Sequence, residues 1–177
     1  HHPGDGGGSL HISPLGKGEF KDHVVIRNCS FVLSSVTDKG GAVFTGKIHS
    51  VTVTDSKFLG NKANCGFGGA MYSESLTLNI INSSFISNHA AGTKCQCPSG
   101  YHIIDSKWGG FINNIQKKPC GNGGALLAKS TNLSLINCNF TSNVAKVKNC
   151  TGIWKINCLS KGGAVIADVG NTITITS

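Results

Sequence analysis

Apolar and polar residues alternate in four short stretches, Val51-Thr52-Val53, Leu78-Asn79-Ile80, Leu133-Ser134-Leu135 and Ile173-Thr174-Ile175. A period of two puts every second side chain on one face, which is the pattern of a strand. Each stretch lies inside a longer copy of the same sequence. The copies are GGAVFTGKIHSVTVTDSKFLGNKA from Gly40, GGAMYSESLTLNIINSSFISNHA from Gly68, GGALLAKSTNLSLINCNFTSNVA from Gly123 and GGAVIADVGNTITITS from Gly162. A degenerate copy precedes them, with Gly7-Gly8-Ser9-Leu10 for the first motif and HVVIRNCSFVLSS for the second half.

A hairpin fold would join sequential strands by Asn-Gly or Asp-Gly turns, whereas this chain returns to the same residue type at the same place in every copy. Like residues then stack on like, about 4.8 Å apart, in a coil of parallel strands. The expected fold is all-β, a right-handed parallel β-helix of about five turns. The turns start near residues 6, 40, 68, 123 and 162 of one domain spanning 1–177, a mature chain or a segment of a longer one.

The corners follow from residue chemistry. Gly-Gly permits a left-handed bend or a close backbone approach, and the next Ala fits a crowded position. Phe31, Phe58, Phe85 and Phe140 are expected to form an inward aromatic stack. Asn61, Asn88 and Asn143 follow three residues later and would form an amide ladder at a bend. Asn28, Asp55, Asn82 and Asn137 form a second polar column, three residues before each Phe. The column five residues beyond Gly-Gly reads Gly46, Glu74, Lys129 and Asp168, an ion-pair ladder worth a few tenths of a kcal/mol per pair.

Two insertions interrupt the repeat at the same corner, after Phe-x-x-Asn and before the next Gly-Gly. They span residues 92–122 and 146–161 and hold both tryptophans, Trp108 and Trp154, together with Tyr101. Cys95, Cys97 and Cys120 lie in the first and Cys150 and Cys158 in the second, with Cys65 at the equivalent corner one turn earlier. These six would form three disulfides along one edge. Cys150–Cys158 closes a short local loop, but spacing leaves the connectivity open. Cys29 and Cys138 share a column three turns apart, about 14 Å, too far for a mutual bond. They are expected to be buried free thiols or to pair with a group the sequence does not identify. Cys95-Gln-Cys97 lacks the spacing of a zinc site, so no metal or other cofactor is expected.

Composition adds a compartment. Among 177 residues there are 24 Gly but only 14% charged residues, which disfavours helices. No apolar run is long enough to span a membrane. Eight cysteines suit an oxidising environment. Five acceptor sequons for N-linked glycan accompany them, at Asn28, Asn82, Asn132, Asn139 and Asn149. An inward turn of the Asn28/Asn82 column would hide those two, which ranks Asn132, Asn139 and Asn149 first. The expected location is extracellular or at a cell surface.

The paired motifs resemble the GGA and FxxN repeats of chlamydial polymorphic outer membrane proteins. The matching positions are Gly40-Gly-Ala with Phe58 to Asn61, Gly68-Gly-Ala with Phe85 to Asn88, Gly123-Gly-Ala with Phe140 to Asn143, and Gly162-Gly-Ala. The resemblance implies β-helical surface passengers that act in adhesion, and similar repeats look widespread in large extracellular proteins of microbial eukaryotes. No autotransporter barrel accompanies these repeats. The sequons and cysteines look more like a eukaryotic secreted protein.

Some β-helices cleave polysaccharides, and glycoside cleavage normally uses two carboxylates a few ångströms apart. Of the eight here, only Glu74 and Asp168 share a column, two turns apart with Lys129 between them, and Arg27 is the only arginine. No enzyme is expected, and a lyase or hydrolase is the weakest reading. The net charge of +8 comes from scattered lysines without an aromatic–basic stripe. That pattern fits weak attraction to acidic glycans or a cell surface better than nucleic acid. The function expected is structural: a glycosylated scaffold whose open ends associate head to tail into a filament or surface fibre. The alternative is an adhesin or glycan-binding module using the insertions.

Overall fold

A computed structural model describes residues 7–14, 22–64, 67–91, 123–129, 132–146, 164–168 and 172–176. Among these residues the protein is all-β, with eighteen strands in four parallel sheets. Sheet A holds β1 (Leu10–Ile12), β5 (Val43–Thr45), β9 (Met71–Ser73), β13 (Leu126–Lys129) and β17 (Val165–Asp168). Sheet B holds β2 (His23–Arg27), β6 (Ser50–Thr54), β10 (Thr77–Ile81), β14 (Asn132–Ile136) and β18 (Ile173–Thr176). Sheet C holds β3 (Ser30–Val32), β7 (Lys57–Leu59), β11 (Ser84–Ile86) and β15 (Asn139–Thr141). Sheet D holds β4 (Ser35–Val36), β8 (Lys62–Ala63), β12 (His89–Ala91) and β16 (Val144–Lys146). No described helix is long and apolar enough to cross a membrane.

The chain visits sheets A, B, C and D in order and returns to A, so every strand pairs with its counterpart in the next copy. Register is set by identity of position: Val51 faces Leu78, which faces Leu133, and Phe58 faces Phe85, which faces Phe140. A one-residue slip would turn Val51, Val53, Leu78 and Ile80 out to water, which fixes the pairing. Those four are fully buried, while Thr52 and Asn79 between them are partly exposed. One hydrophobic cluster joins Val43, Met71 and Leu126 of sheet A to Val51, Leu78 and Leu133 of sheet B and to Phe58 and Phe85 of sheet C.

The two glycines of the Gly-Gly-Ala corner have different physical reasons. Gly40, Gly68 and Gly123 adopt left-handed φ of 61°, 62° and 66°, a region in which glycine pays no steric penalty. Gly41 and Gly69 need empty space, since a Cβ on Gly41 would overlap the Gly69 carbonyl oxygen and one on Gly69 that of Gly124. The alanines that follow, Ala42, Ala70 and Ala125, are wholly buried.

Two further left-handed columns turn the chain between sheets. Asn28, Asp55, Asn82 and Asn137 lie at φ of 49° to 52° where sheet B passes to sheet C. Leu33, Gly60, Ser87 and Ser142 lie at φ of 55° to 64° where sheet C passes to sheet D. Each repeat therefore bends at three left-handed positions, and glycine, asparagine and aspartate supply most of them.

Candidate functional site

The described residues present columns rather than a pocket. The Phe column runs through sheet C as parallel stacked rings: Phe31–Phe58 at 4.9 Å between centroids, Phe58–Phe85 at 4.4 Å and Phe85–Phe140 at 4.8 Å, with interplanar angles of 15°, 3° and 9°. Parallel rings at this spacing are a favourable stacked arrangement, and the spacing matches the roughly 4.8 Å between parallel strands. Phe58 and Phe85 are fully buried, and Phe31 and Phe140 at the two ends are half-buried.

Beside it runs the amide column. Asn61 donates from Nδ2 to Asn88 Oδ1 at 3.0 Å and to Phe31 O at 3.0 Å, and its backbone N–H reaches the same Asn88 Oδ1 at 2.9 Å. Asn88 repeats the pattern toward Asn143 Oδ1 and Phe58 O, each at 3.0 Å, and Asn143 Nδ2 reaches Phe85 O at 2.8 Å. In the degenerate first copy Ser34 stands where asparagine would, and its backbone N–H donates to Asn61 Oδ1 at 3.0 Å. Every donor of a fully buried Asn61 or Asn88 side chain is thus used, which burial of an amide requires.

A hydroxyl and thiol column lies one residue beyond the left-handed Asn/Asp corner. Ser56 and Ser83 are buried, and Ser56 N–H donates to Ser83 Oγ at 3.1 Å while Cys29 N–H donates to Ser56 Oγ at 3.2 Å. Cys29 and Cys138 are free and half-buried at the two ends of this column. The Cys138 Sγ lies 3.2 Å from Ile80 O and 3.3 Å from Ile136 O. Burial pushes the Cys138 thiol above its ordinary range, partly offset by backbone hydrogen bonds at Ser83 and Ile136.

The Asn28/Asp55/Asn82/Asn137 column faces solvent. The inward turn expected of Asn28 and Asn82 does not occur: all four side chains are exposed, because a left-handed bend swings Cβ to the outside of the corner. Asn82 Nδ2 donates to Asp55 Oδ1 and Asn137 Nδ2 to Asn82 Oδ1, each at 3.3 Å, so the ladder is external. Asn132 and Asn139 are also exposed, the latter accepting from Thr141 Oγ1 at 2.6 Å.

On the outer face of sheet A, His11 stacks on Phe44 at 4.7 Å and Phe44 on Tyr72 at 5.5 Å, with Lys39 Nζ 5.1 Å from the Tyr72 centroid. Tyr72 donates to Glu74 Oε1 at 2.5 Å, and Lys129 Nζ lies 4.0 Å from the same oxygen. The pair is too long and too exposed to exceed a few tenths of a kcal/mol. The sequence signal for this aromatic column is Phe44 and Tyr72 at equal distance from Gly-Gly.

Cys65, Cys95, Cys97, Cys120, Cys150, Cys158, Tyr101, Trp108, Trp154 and Asn149 lie outside the described residues. So does most of both insertions, which lie in the sequence between β12 and β13 and between β16 and β17. Among the described residues no group of three or more His, Cys, Asp or Glu is placed to hold a metal ion. No protein-family model, curated protein or solved structure matches the chain.

Proposed function

We propose that the four sheets are the faces of one right-handed parallel β-helix and that the protein is a structural scaffold of the extracellular space or a cell surface. The observation that carries this reading is the continuity of the Phe31/Phe58/Phe85/Phe140 and Asn61/Asn88/Asn143 columns through successive repeats. Each rung supplies the hydrogen-bond and stacking partners of the next, so order is propagated along an axis. That property suits a load-bearing or spacer element. The Gly-Gly-Ala and Phe-x-x-Asn motifs occupy corner and core positions and carry no chemistry of their own.

Head-to-tail assembly belongs to the same proposal. Strand β18 sets Ile173 and Ile175 against the buried Leu133 and Leu135, yet they are 53% and 71% exposed. A further rung, from the same polypeptide or a second copy, would cover them, since unpaired strand edges recruit strands. Electron microscopy and light scattering of the purified secreted chain test this. Filaments or a concentration-dependent mass increase support assembly; a strictly monomeric species at every concentration counts against it.

The second reading is an adhesin or glycan-binding module. It is favoured by both insertions interrupting the repeat at the same sequence position, after Phe-x-x-Asn and before the next Gly-Gly, because long segments joined to a rigid frame commonly carry recognition. Trp108→Ala or Trp154→Ala should then abolish binding to glycan arrays or cell surfaces without changing circular dichroism. Retained binding would remove that reading.

A further inference from the structure

We propose that Asn28, Asn82 and Asn139 carry N-linked oligosaccharides that form a stripe along the corner between sheets B and C. The inference rests on the extracellular reading and adds to it a specific modified edge.

The geometry carries it in three steps. First, Asn28 and Asn82 occupy the left-handed bend itself, at φ of 52° and 49°, with exposed side chains. Asn139 begins β15 on the same corner, also exposed, with its sequon partner Thr141 on the same side of the strand and bonded to it at 2.6 Å. Asn132 stands at the other end of β14 and is not part of the stripe.

Second, the ladder survives the chemistry. Transfer forms a bond between Asn Nδ2 and C1 of the sugar, and breaks the bond from C1 to a polyprenyl diphosphate, which leaves with the electron pair. A base on the transferase takes one of the two Nδ2 protons. The second proton of Asn82 remains for Asp55 Oδ1, and its Oδ1 still accepts from Asn137.

Third, the rungs are spaced for it. Adjacent rungs lie about 4.8 Å apart, too close for two sugar rings side by side. The column alternates accordingly: Asn28 has a sequon, the next rung has Asp55, Asn82 has a sequon, and Asn137 has none because residue 139 is Asn. The fourth-rung acceptor is instead Asn139, displaced two residues along the strand. The stripe would sheathe the B–C corner in carbohydrate. Protein contacts would then fall to the D–A corner, which shares no sheet with it.

The test is site occupancy in the secreted protein from a eukaryotic host. Peptide N-glycosidase digestion in heavy-oxygen water converts each occupied Asn to labelled Asp, read by peptide mass spectrometry. Label at positions 28, 82 and 139 is expected, and Ser84→Ala should remove it from position 82 alone while circular dichroism stays unchanged. Unlabelled Asn28 and Asn82 beside a labelled Asn132 would overturn the stripe and leave the extracellular reading standing. No label at any sequon would overturn both.

Discussion

Asn61 and Asn88 are both fully buried and are joined through Asn61 Nδ2 and Asn88 Oδ1 at 3.0 Å, an amide on an amide inside a mostly apolar stack. Asn88 is engaged on every side: its oxygen takes two bonds from Asn61 and its nitrogen gives one to Phe58 O and one to Asn143 Oδ1. Asn88→Ala should therefore cost on the order of 3 to 5 kcal/mol, because it orphans several buried groups at about 1–3 kcal/mol each. Urea denaturation measures it, and a loss below about 1 kcal/mol would deny the ladder a stabilising role.

The glycines of one corner should respond unlike the glycine of another. Gly41→Ala forces a Cβ onto the Gly69 carbonyl, and backbone cannot yield locally. Gly60→Ala meets only the flexible Leu33 side chain, at 2.8 Å, besides the left-handed penalty. The first should abolish or severely impair folding, whereas the second should cost about 1–2 kcal/mol. Equal thermal shifts for the two would contradict the close packing of rungs at Gly-Gly.

Leu33 is a local conflict the chain tolerates. It sits at φ of 55° with 75% of its surface exposed, at a position where the next rung has Gly60. Leu33→Gly removes a left-handed strain of about 1–2 kcal/mol against roughly 0.5–1 kcal/mol of extra unfolded-state entropy. A gain of about 0.5 kcal/mol in chemical denaturation is expected, and a loss would show that Leu33 makes a contact worth keeping.

Much of this architecture is legible in the sequence. The Gly-Gly-Ala and Phe-x-x-Asn columns were visible because a stacked repeat writes each column as a recurring residue type, and Phe58 over Phe85 is one such line. The direction of the Asn28/Asn82 column was not legible, because whether a bend residue faces in or out depends on the sign of φ. Asparagine is compatible with either sign. The pairing of Cys29 N–H with Ser56 Oγ is not legible in the sequence either, since cysteine and serine differ in type and only the fold puts both in one column.

The Cys138 thiol supplies a pH dependence. Its pKa is raised in the folded state, by burial above all, so folding favours the protonated form. Stability from this group is intact below the ordinary thiol range of about 8.5 and declines as pH rises above it. Cys138→Ser, which copies Ser56 and Ser83 of the same column, should fold normally and lose less stability between neutral and alkaline pH than the native chain. An identical alkaline slope in both would remove Cys138 as the source.

Nuclear Overhauser contacts in isotopically labelled protein measure the rung-on-rung register most directly. Backbone contacts are expected between β6 and β10 in the register Val51 to Leu78 and Val53 to Ile80, with Phe58 ring protons close to those of Phe85. Contacts joining β6 to its sequence neighbour β7 as an antiparallel hairpin, with none across the 27 residues from Asn61 to Asn88, would contradict it.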